Sequence, residues 1–377
     1  MTNEMMNAAL FQKGEADLVV ASIPVPEIQP NEVLVKVEAC NVVQNLRNVL
    51  KAIGTGALVS YPQLPAVLGL DVSGTIERCG SLTSVMKEGD RVYVNPGLSC
   101  GGCQSCRSGE ELDCDYYALR GYFGIGSKSQ SLLNLYPQGG FAQFIVVPQA
   151  SIVRIPDNLD FNTASRFGHL GTAFRALKQA NCSPGKTVLI NGISGTLGLG
   201  AAALALALGA KRVLGIARNT ELFPKVIALG DPGRVSILES GTEKTEEWVK
   251  RNNEGEGADI VIDALSGGTP PEPLQQAFYS LRRGGSLINI GAVTGDIPLN
   301  LMWLMNNNIK LIGSCWFTTA DAQEMADLVR QGLLDLSFFE NKTFSLEEIN
   351  VAIQGTVSRN GGFTNYVINP NQGYSVT

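Results

Sequence analysis

Four cysteines are grouped in one short, glycine-rich stretch of the chain. They are Cys100, Cys103, Cys106 and Cys114, in the pattern C-x2-C-x2-C-x7-C. Four thiolates at this spacing are typical of tetrahedral zinc, which accepts soft sulfur ligands. An iron–sulfur cluster also uses cysteine thiolates, and four free thiols are the simplest alternative. We predict one Zn²⁺, and because four protein ligands leave no open coordination position, the ion would be structural.

A second stretch suited to chemistry runs from Lys186 to Asn219. An apolar run, Thr187–Ile190, is followed by a glycine-rich turn, an Ala/Leu-rich segment and a second apolar run, Arg212–Ile216. The glycines of the turn are Gly192, Gly195 and Gly198. Glycines let the backbone approach a phosphate, and a helix N-terminus offers unpaired N–H groups. A strand–turn–helix–strand unit of this kind predicts a dinucleotide site; an ordinary glycine-rich turn is the alternative.

The residues after the second apolar run distinguish the two nicotinamide dinucleotides. An NAD-selective site has an acidic residue there, which binds the ribose 2′-hydroxyl. This chain has Ala217, Arg218 and Asn219 instead. Arginine pairs well with a phosphate, so we predict NADP(H), with Arg218 at the 2′-phosphate. The alternative is a solvent-facing Arg218 and loosely bound NAD.

The composition indicates a globular chain and not a disordered one. The 377 residues are 44% hydrophobic, carry a net charge of −6, and are enough for two domains. We find no basic cluster that would bind nucleic acid and no run of about 18 apolar residues that would span a membrane. The N-terminal segment also lacks a signal-peptide pattern, so we expect a cytoplasmic protein.

The order of apolar runs predicts how these stretches are positioned. Short β-like runs such as Glu32–Ala39 and Val72–Glu77 dominate the first part and indicate a β-rich domain without a strong helix. After the glycine turn, apolar runs alternate with helical patterns, which favours a parallel sheet covered by helices. The tail, Thr319–Gln331 and then Phe363–Ile368, breaks this alternation and is expected to return to the first domain. The predicted fold class is α/β.

Several motifs together resemble the medium-chain dehydrogenase/reductase superfamily, in its zinc alcohol dehydrogenase branch, over nearly the whole chain. They are the cysteine stretch, the glycine turn, Val37–Cys40, Pro65–Gly69, Glu88–Val92, Gly139–Gln143 and Gly257–Asp263. The resemblance implies a GroES-like catalytic domain at residues 1–155, a Rossmann domain at 156–316, and a return to the catalytic domain at 317–377. It also implies hydride transfer between a nicotinamide and a carbonyl, an alcohol or a polarised double bond. The glycine spacing is closer to the quinone and enoyl reductase branch, which usually uses NADPH and lacks zinc.

The resemblance also supplies a set of expected cofactor contacts and an assembly. The expected contacts are Thr172, Gly192, Ser194, Gly195, Thr196, Leu197, Gly198, Ala217, Arg218, Asn219, Ala264 and Gly291. Relatives often form homodimers by pairing the last strand of the Rossmann sheet. We therefore expect a homodimer, with Ile309–Ile312 as the pairing strand.

This chain departs from the resemblance at the catalytic zinc. The usual ligand positions correspond to Val43, Leu70 and Gly168, which cannot bind a metal. The only histidine, His169, adjoins the third position. We therefore expect a reductase without catalytic zinc, acting on a largely apolar substrate with a C=C, C=N or C=O bond. The alternatives are a zinc alcohol dehydrogenase with unusual ligands and a non-catalytic NADPH-binding protein.

Without zinc, other groups must stabilise or protonate the reduced substrate. The candidates are Asn45, at the usual Ser/Thr relay position, Asp71, whose carboxyl would have a raised pKa beside apolar Leu70, and His169, expected to titrate near neutral pH. The aromatic stretch Tyr116–Tyr136, with Tyr117, Tyr122 and Phe123, is expected to form a wall of the substrate cleft. Each of these residues also has a purely structural interpretation, as a turn or packing residue.

Overall fold

The structure is a computed structural model that describes residues 4–15, 17–357 and 359–373. The strands that precede the glycine turn are β1 (Met5–Phe11), β2 (Val19–Pro24), β3 (Glu32–Asn41), β4 (Ala66–Val67), β5 (Asp71–Cys79), β6 (Arg91–Val94), β7 (Gly97–Leu98), β8 (Ala118–Leu119), β9 (Phe144–Pro148), β10 (Ile152–Arg154) and β11 (Thr187–Asn191). The later strands are β12 (Arg212–Ala217), β13 (Val235–Glu239), β14 (Ala258–Asp263), β15 (Leu281–Asn289), β16 (Lys310–Gly313), β17 (Glu340–Phe344) and β18 (Thr364–Ile368).

The helices are concentrated in the second half of the chain. They are α1 (Leu46–Ala52), α2 (Gln104–Arg107), α3 (Gln130–Leu135), α4 (Phe161–Ala164), α5 (Phe167–Gln179), α6 (Thr196–Ala207), α7 (Phe223–Ile227), α8 (Thr245–Asn252), α9 (Glu272–Tyr279), α10 (Leu301–Asn307), α11 (Thr319–Arg330) and α12 (Ile349–Gly355). Within the described ranges, none of them is both long and apolar enough to cross a membrane.

The glycine turn belongs to a six-stranded parallel sheet. Its strand order is β13-β12-β11-β14-β15-β16, the order of a doubly wound dinucleotide-binding sheet. All five residues of β11 are buried, because helices cover both faces of the sheet. The predicted Rossmann sheet is therefore confirmed. The strand β13 was not predicted from the sequence, because its residues, Val235–Glu239, are only partly buried and weakly apolar.

The β-rich part is built around the long strand β3. This strand pairs antiparallel with β5, β9 and β18, so the last described strand of the chain joins a sheet made by its first hundred and fifty residues. The expected return of the tail to this sheet is thus observed, with Ile368 opposite Cys40. The expectation of a first part without helix misses α1, a seven-residue helix that carries a wall of the site.

The returning segment is fixed against the glycine turn before it enters β18. The amide of Gly362 donates to the carbonyl of Ser194 at 2.9 Å. A Cβ on Gly362 would lie 2.5 Å from Thr196 N, so only glycine allows this approach. The buried guanidinium of Arg166 donates to the carbonyls of Gly362 and Phe363. These contacts hold the two sheets on either side of one cleft.

Candidate active site

A cavity of about 1900 Å³ lies between the β-rich part and the carboxyl edge of the parallel sheet. Its walls come from α1 and the aromatic segment on one side, and from the loops after β11, β12, β14, β15 and β16 on the other. The carboxyl edge of such a sheet is where these folds bind their ligands. We therefore take this cleft as the candidate active site.

The glycine turn has the geometry required for a phosphate-binding loop. Gly192 has a φ of +88°, a conformation that L residues with side chains rarely adopt. Gly195 is the N-cap of α6, a helix of 12 residues whose first N–H groups face the cleft side of the turn. A Cβ at Gly198 would lie 2.2 Å from the carbonyl oxygen of Gly192, so this glycine keeps the helix close to the turn. The residues present fit a bound dinucleotide.

Nearly all the residues predicted to contact the cofactor line this cleft. The lining members are Thr172, Gly192, Ser194, Gly195, Thr196, Leu197, Ala217, Arg218, Asn219, Ala264 and Gly291. Gly198 is buried behind the turn and acts through packing. Arg359, which was not among the predicted contacts, also lines the cleft and donates to Thr196 Oγ1 at 2.5 Å and to Gln44 Oε1 at 3.1 Å. Its position before the paired glycines Gly361 and Gly362 was the available signal.

Arg218 lies at the end of β12 with its side chain exposed. In the part of the chain that the structure describes, no ion pair is formed by this guanidinium, so its charge is available to a ligand. The next residue, Asn219, is fixed: its Oδ1 accepts from the amide of Glu221, and its Nδ2 donates to Asn360 at 2.6 Å. The segment at the end of β12 thus offers a cation on a well-anchored loop.

The four cysteines of the glycine-rich stretch converge as predicted. The sulfur atoms of Cys100, Cys103, Cys106 and Cys114 all lie within 4.8 Å of one another. Backbone N–H groups of Gly102 and Cys103 lower the pKa of Cys100 to about 6, which favours the thiolate that a metal binds. A complete thiolate set of this kind fits a structural zinc.

The three positions that correspond to catalytic zinc ligands hold no donor. Val43 and Leu70 are buried hydrocarbon at 6% and 5% exposure. A Cβ on Gly168 would lie 2.1 Å from Asp71 Oδ1, so the carboxyl group of Asp71 occupies the space that a side chain at residue 168 would need. Within the described residues, the cysteine loop is the only cluster of three or more potential metal ligands.

Asp71 is a buried carboxyl group at the base of the cleft. It is 1% exposed, and its Oδ1 accepts from the Tyr93 hydroxyl at 2.8 Å. Its Oδ2 is also buried and has no hydrogen-bond partner in the described structure. Burial raises the pKa of Asp71 to about 7, although hydrogen bonds from Tyr93 and Asn41 favour the carboxylate. Asp71 therefore holds a proton close to neutral pH, which makes it the strongest candidate for an acid.

His169 and Asn45 also line the cleft. The pKa of His169 differs from the predicted one. Burial lowers the pKa of His169 to about 3, and the charges of Arg166 and Arg359 add to this effect. The expectation that His169 titrates near neutral pH is therefore wrong, and its ring is neutral. Asn45 is exposed to the cleft, and its Oδ1 accepts from Asn48 Nδ2 at 2.9 Å. Its amide also interacts with the Tyr122 hydroxyl, and this hydrogen bond opposes the rise in the Tyr122 pKa.

The aromatic stretch divides into residues that line the cleft and residues that do not. Tyr122 and Phe123 line it, with ring centroids 4.7 Å apart. Burial raises the pKa of Tyr122 well above its usual range, so its hydroxyl remains a donor at all ordinary pH values. Tyr117 is 3% exposed and is not part of the wall, because its ring packs in the core beside Gly97. The predicted role of Tyr117 as a cleft residue is therefore wrong.

Comparison with known proteins places this cleft in a family. Residues 29–157 match the model of the alcohol dehydrogenase GroES-like domain, and residues 196–331 match that of the zinc-binding dehydrogenase domain. An alcohol dehydrogenase of Geobacillus stearothermophilus is 30% identical over 330 residues, 87% of this chain and 90% of the relative. A sorbitol dehydrogenase of Bacillus subtilis is 27% identical over 370 residues, 97% and 98% of the two chains.

Solved structures agree with these sequence matches. The crystal structure of AibC superposes with a TM-score of 0.82 and 26% identity, covering 98% of this chain and 97% of that one. The family models together span more than half of the chain, and their domains are the GroES-like part and the Rossmann sheet described above. The chain therefore belongs to the zinc-type alcohol dehydrogenase-like branch of the medium-chain dehydrogenase/reductase superfamily.

Proposed function

We propose that the protein is an NADPH-dependent reductase that works without a catalytic zinc. The observation that carries this proposal is the combination, in one cleft, of an intact phosphate-binding turn with hydrocarbon at Val43 and Leu70. The substrate is a small, largely apolar organic molecule with a polarised C=C, C=N or C=O bond. The apolar wall formed by residues such as Leu58, Leu119 and Ile125 supports this choice over a polyol.

The dinucleotide would be held through its phosphates and would supply a hydride. The N-terminus of α6 faces the pyrophosphate position, and Arg359, which already contacts Thr196, adds a positive charge there. Arg218 would bind the 2′-phosphate. Thr172, Ala264 and Gly291 line the deeper part of the cleft and would enclose the nicotinamide.

Reduction of a polar double bond requires a proton as well as a hydride. Asp71 would give its proton to the substrate, become a carboxylate, and regain a proton from solvent afterwards. Tyr122 and the amide of Asn45 would donate hydrogen bonds to the oxygen or nitrogen on which negative charge develops. The neutral His169 would orient this network through Asn41, whose Nδ2 lies 3.4 Å from its Nδ1.

We also propose a homodimer and retain the division of the chain at residues 155 and 316. β16 is the edge strand of the parallel sheet, and its residue Leu311 is 52% exposed. The neighbouring helix α10 buries none of its residues and exposes Leu301, Met302 and Met305 at 66% or more. An unpaired edge beside an apolar patch supports pairing with a second copy of the chain.

The metal content and the chemistry are tested together. We expect one zinc per chain by elemental analysis, retained after dialysis against EDTA, with the rate of NADPH-dependent enal reduction unchanged. Cys103→Ser should lose the zinc and melt at a lower temperature, whereas Cys182→Ser, outside the loop, should keep it. Two zinc ions per chain, with activity lost on removal of the second, would instead support a zinc alcohol dehydrogenase. Iron in the purified protein would refute the zinc assignment. Tight NADPH binding without turnover of any carbonyl, imine or enone would refute the proposed reductase activity.

The cofactor preference depends on the exposed guanidinium of Arg218. We expect NADPH to bind at least tenfold more tightly than NADH, a difference of about 1.4 kcal/mol or more. Arg218→Ala should remove most of this difference in affinity, because it weakens the binding of NADPH and leaves that of NADH unchanged. Titration calorimetry measures both dissociation constants. Arg251→Ala, which removes an arginine outside the cleft, should leave the ratio unchanged. An unaltered ratio in Arg218→Ala would show that another group binds the 2′-phosphate.

The acid is tested by the pH dependence of the chemical step. Because Asp71 must be protonated, the single-turnover rate should fall as the pH rises through about 7. Asp71→Asn should lower this rate by roughly 10²- to 10⁴-fold and abolish the titration. Tyr93→Phe removes a bond that favours the carboxylate, so it should move the titration to higher pH.

Stability gives an independent measure of the same group. The pKa of Asp71 is raised on folding, so its contribution to the free energy of unfolding is complete below about pH 4 and is lost as the pH rises through about 7. Asp71→Asn should flatten this part of the stability profile in urea titrations. A wild-type rate and stability that are both independent of pH between 5 and 8 would exclude Asp71 as the acid.

The assembly is tested by changing the exposed edge. The chain has a mass of 40.2 kDa, and we expect about twice this mass by light scattering at micromolar concentration. Leu311→Asp should yield monomers, because it places a charge in the proposed interface. Leu82→Asp changes a leucine of the β-rich part that is even more exposed, at 67%, and the protein should remain dimeric. A monomeric wild-type protein would rule the proposal out.

A further inference from the structure

We propose that Trp316 forms an aromatic platform that selects substrates with a flat, conjugated group. This inference deepens the proposed function and rests on it, because it describes the substrate of the same cleft. Trp316 follows β16, in a segment that lines the cavity from Gly313 through Trp316. No sequence motif predicted a role for this residue.

The backbone of Trp316 has a conformation that is unusual for its side chain. Its φ is +70°, in the left-handed region that a bulky L residue rarely occupies. Such conformations persist only where the surroundings enforce them, and they occur preferentially at functional sites. A flexible glycine or asparagine would fit this backbone with less strain. The presence of tryptophan despite this strain indicates that the indole itself is needed at this position.

The indole ring is held in position by the residues on either side of it. Its Nε1–H donates to Asn95 Oδ1 at 3.0 Å, and Asn95 is only 2% exposed. Its face is stacked on the buried ring of Phe317, with centroids 5.0 Å apart and planes inclined by 26°. Phe317 is itself fixed against Gly171, where a Cβ would lie 2.4 Å from the ring. The orientation of the indole is thus set before a ligand binds.

The remaining surface of the indole faces the cleft. Trp316 is only partly buried, although it is among the largest apolar residues of the chain, and it lines the cavity together with Tyr122 and Phe123. Its neighbour Ser314 has a buried hydroxyl without a hydrogen-bond partner in the described structure. The indole and the rings of Tyr122 and Phe123 line the same cavity, which suits a flat, apolar ring.

The segment that carries the platform is itself uncharged. No acidic residue neighbours Trp316 in the segment after β16, and the indole N–H is already satisfied by Asn95. A quaternary or protonated amine would find no carboxylate on this segment. The ligand class that stacking on an indole favours is a planar, unsaturated group, conjugated in the proposed substrate to the bond that is reduced.

The test compares two amides that differ only in the flatness of one ring. With the enzyme saturated by oxidised dinucleotide, binding of (E)-cinnamamide and (E)-3-cyclohexylacrylamide is measured by calorimetry. We expect wild type to bind the phenyl compound about 3- to 10-fold more tightly, the range that aromatic stacking supplies beyond contact area. Trp316→Leu should bind the two equally within about twofold. Trp316→Phe, which keeps a ring, should retain the preference.

Leucine is chosen because it is not branched at Cβ, so it adds no new strain at the left-handed backbone. The melting temperature and the dinucleotide affinity of each variant show whether the fold and the cofactor groove are intact. Equal binding by wild type, or a preference that persists in Trp316→Leu, would overturn the proposal. If the leucine variant does not fold, loss of the preference in Trp316→Phe would also overturn it. The binding comparison needs no turnover. If the protein showed no NADPH-dependent reduction, the proposed function would be refuted, but the affinities for the two amides would still test the platform.

Discussion

A single buried arginine connects the two halves of this protein. Arg166, just before α5, is 1% exposed and has no carboxylate partner among the described residues. It donates instead to the carbonyls of Gly362 and Phe363 and lies 3.6 Å from the ring centre of Phe339. A buried cation is costly unless its donors are satisfied, so the returning segment must stay in place. The same segment packs on the glycine turn and then enters the sheet built on β3. This contact is one of those that hold the two walls of the cleft, together with the bonds of Asn95 to Trp316 and Phe317.

Within that cleft, one missing side chain changes what the site can do. A residue larger than glycine at position 168 would collide with the carboxyl group of Asp71, which would then have to move. With glycine there, Asp71 stays buried against Tyr93, one of its oxygens is unpartnered, and its proton is retained near neutral pH. Val43 and Leu70 complete the change, because they replace donors with hydrocarbon. The positions that correspond to zinc ligands thus lie around a buried carboxyl group in this chain.

Features encoded by local spacing were predicted well from the sequence. The cysteine loop, the glycine turn and the alternation that gives the parallel sheet are each set by residues close together in the chain. The properties of single site residues were predicted less well, because they depend on distant partners. The pKa of His169 is lowered partly by Arg359, which is almost two hundred residues away. The role of Trp316 depends on Asn95 and on a backbone angle that no local pattern reveals.

The distribution of charge along the cleft fits a reaction that passes through a charged intermediate. The cations Arg218 and Arg359 lie where the phosphates of a dinucleotide would be bound, at the glycine turn and the end of β12. Near Asp71 the groups are hydrocarbon, neutral imidazole or hydroxyl, so little solvent or fixed charge would screen a new negative charge. In such surroundings each oriented donor has a larger effect than it would in water. A site with few donors is therefore sufficient, provided that they are fixed before the substrate binds, as Tyr122 is by its packing.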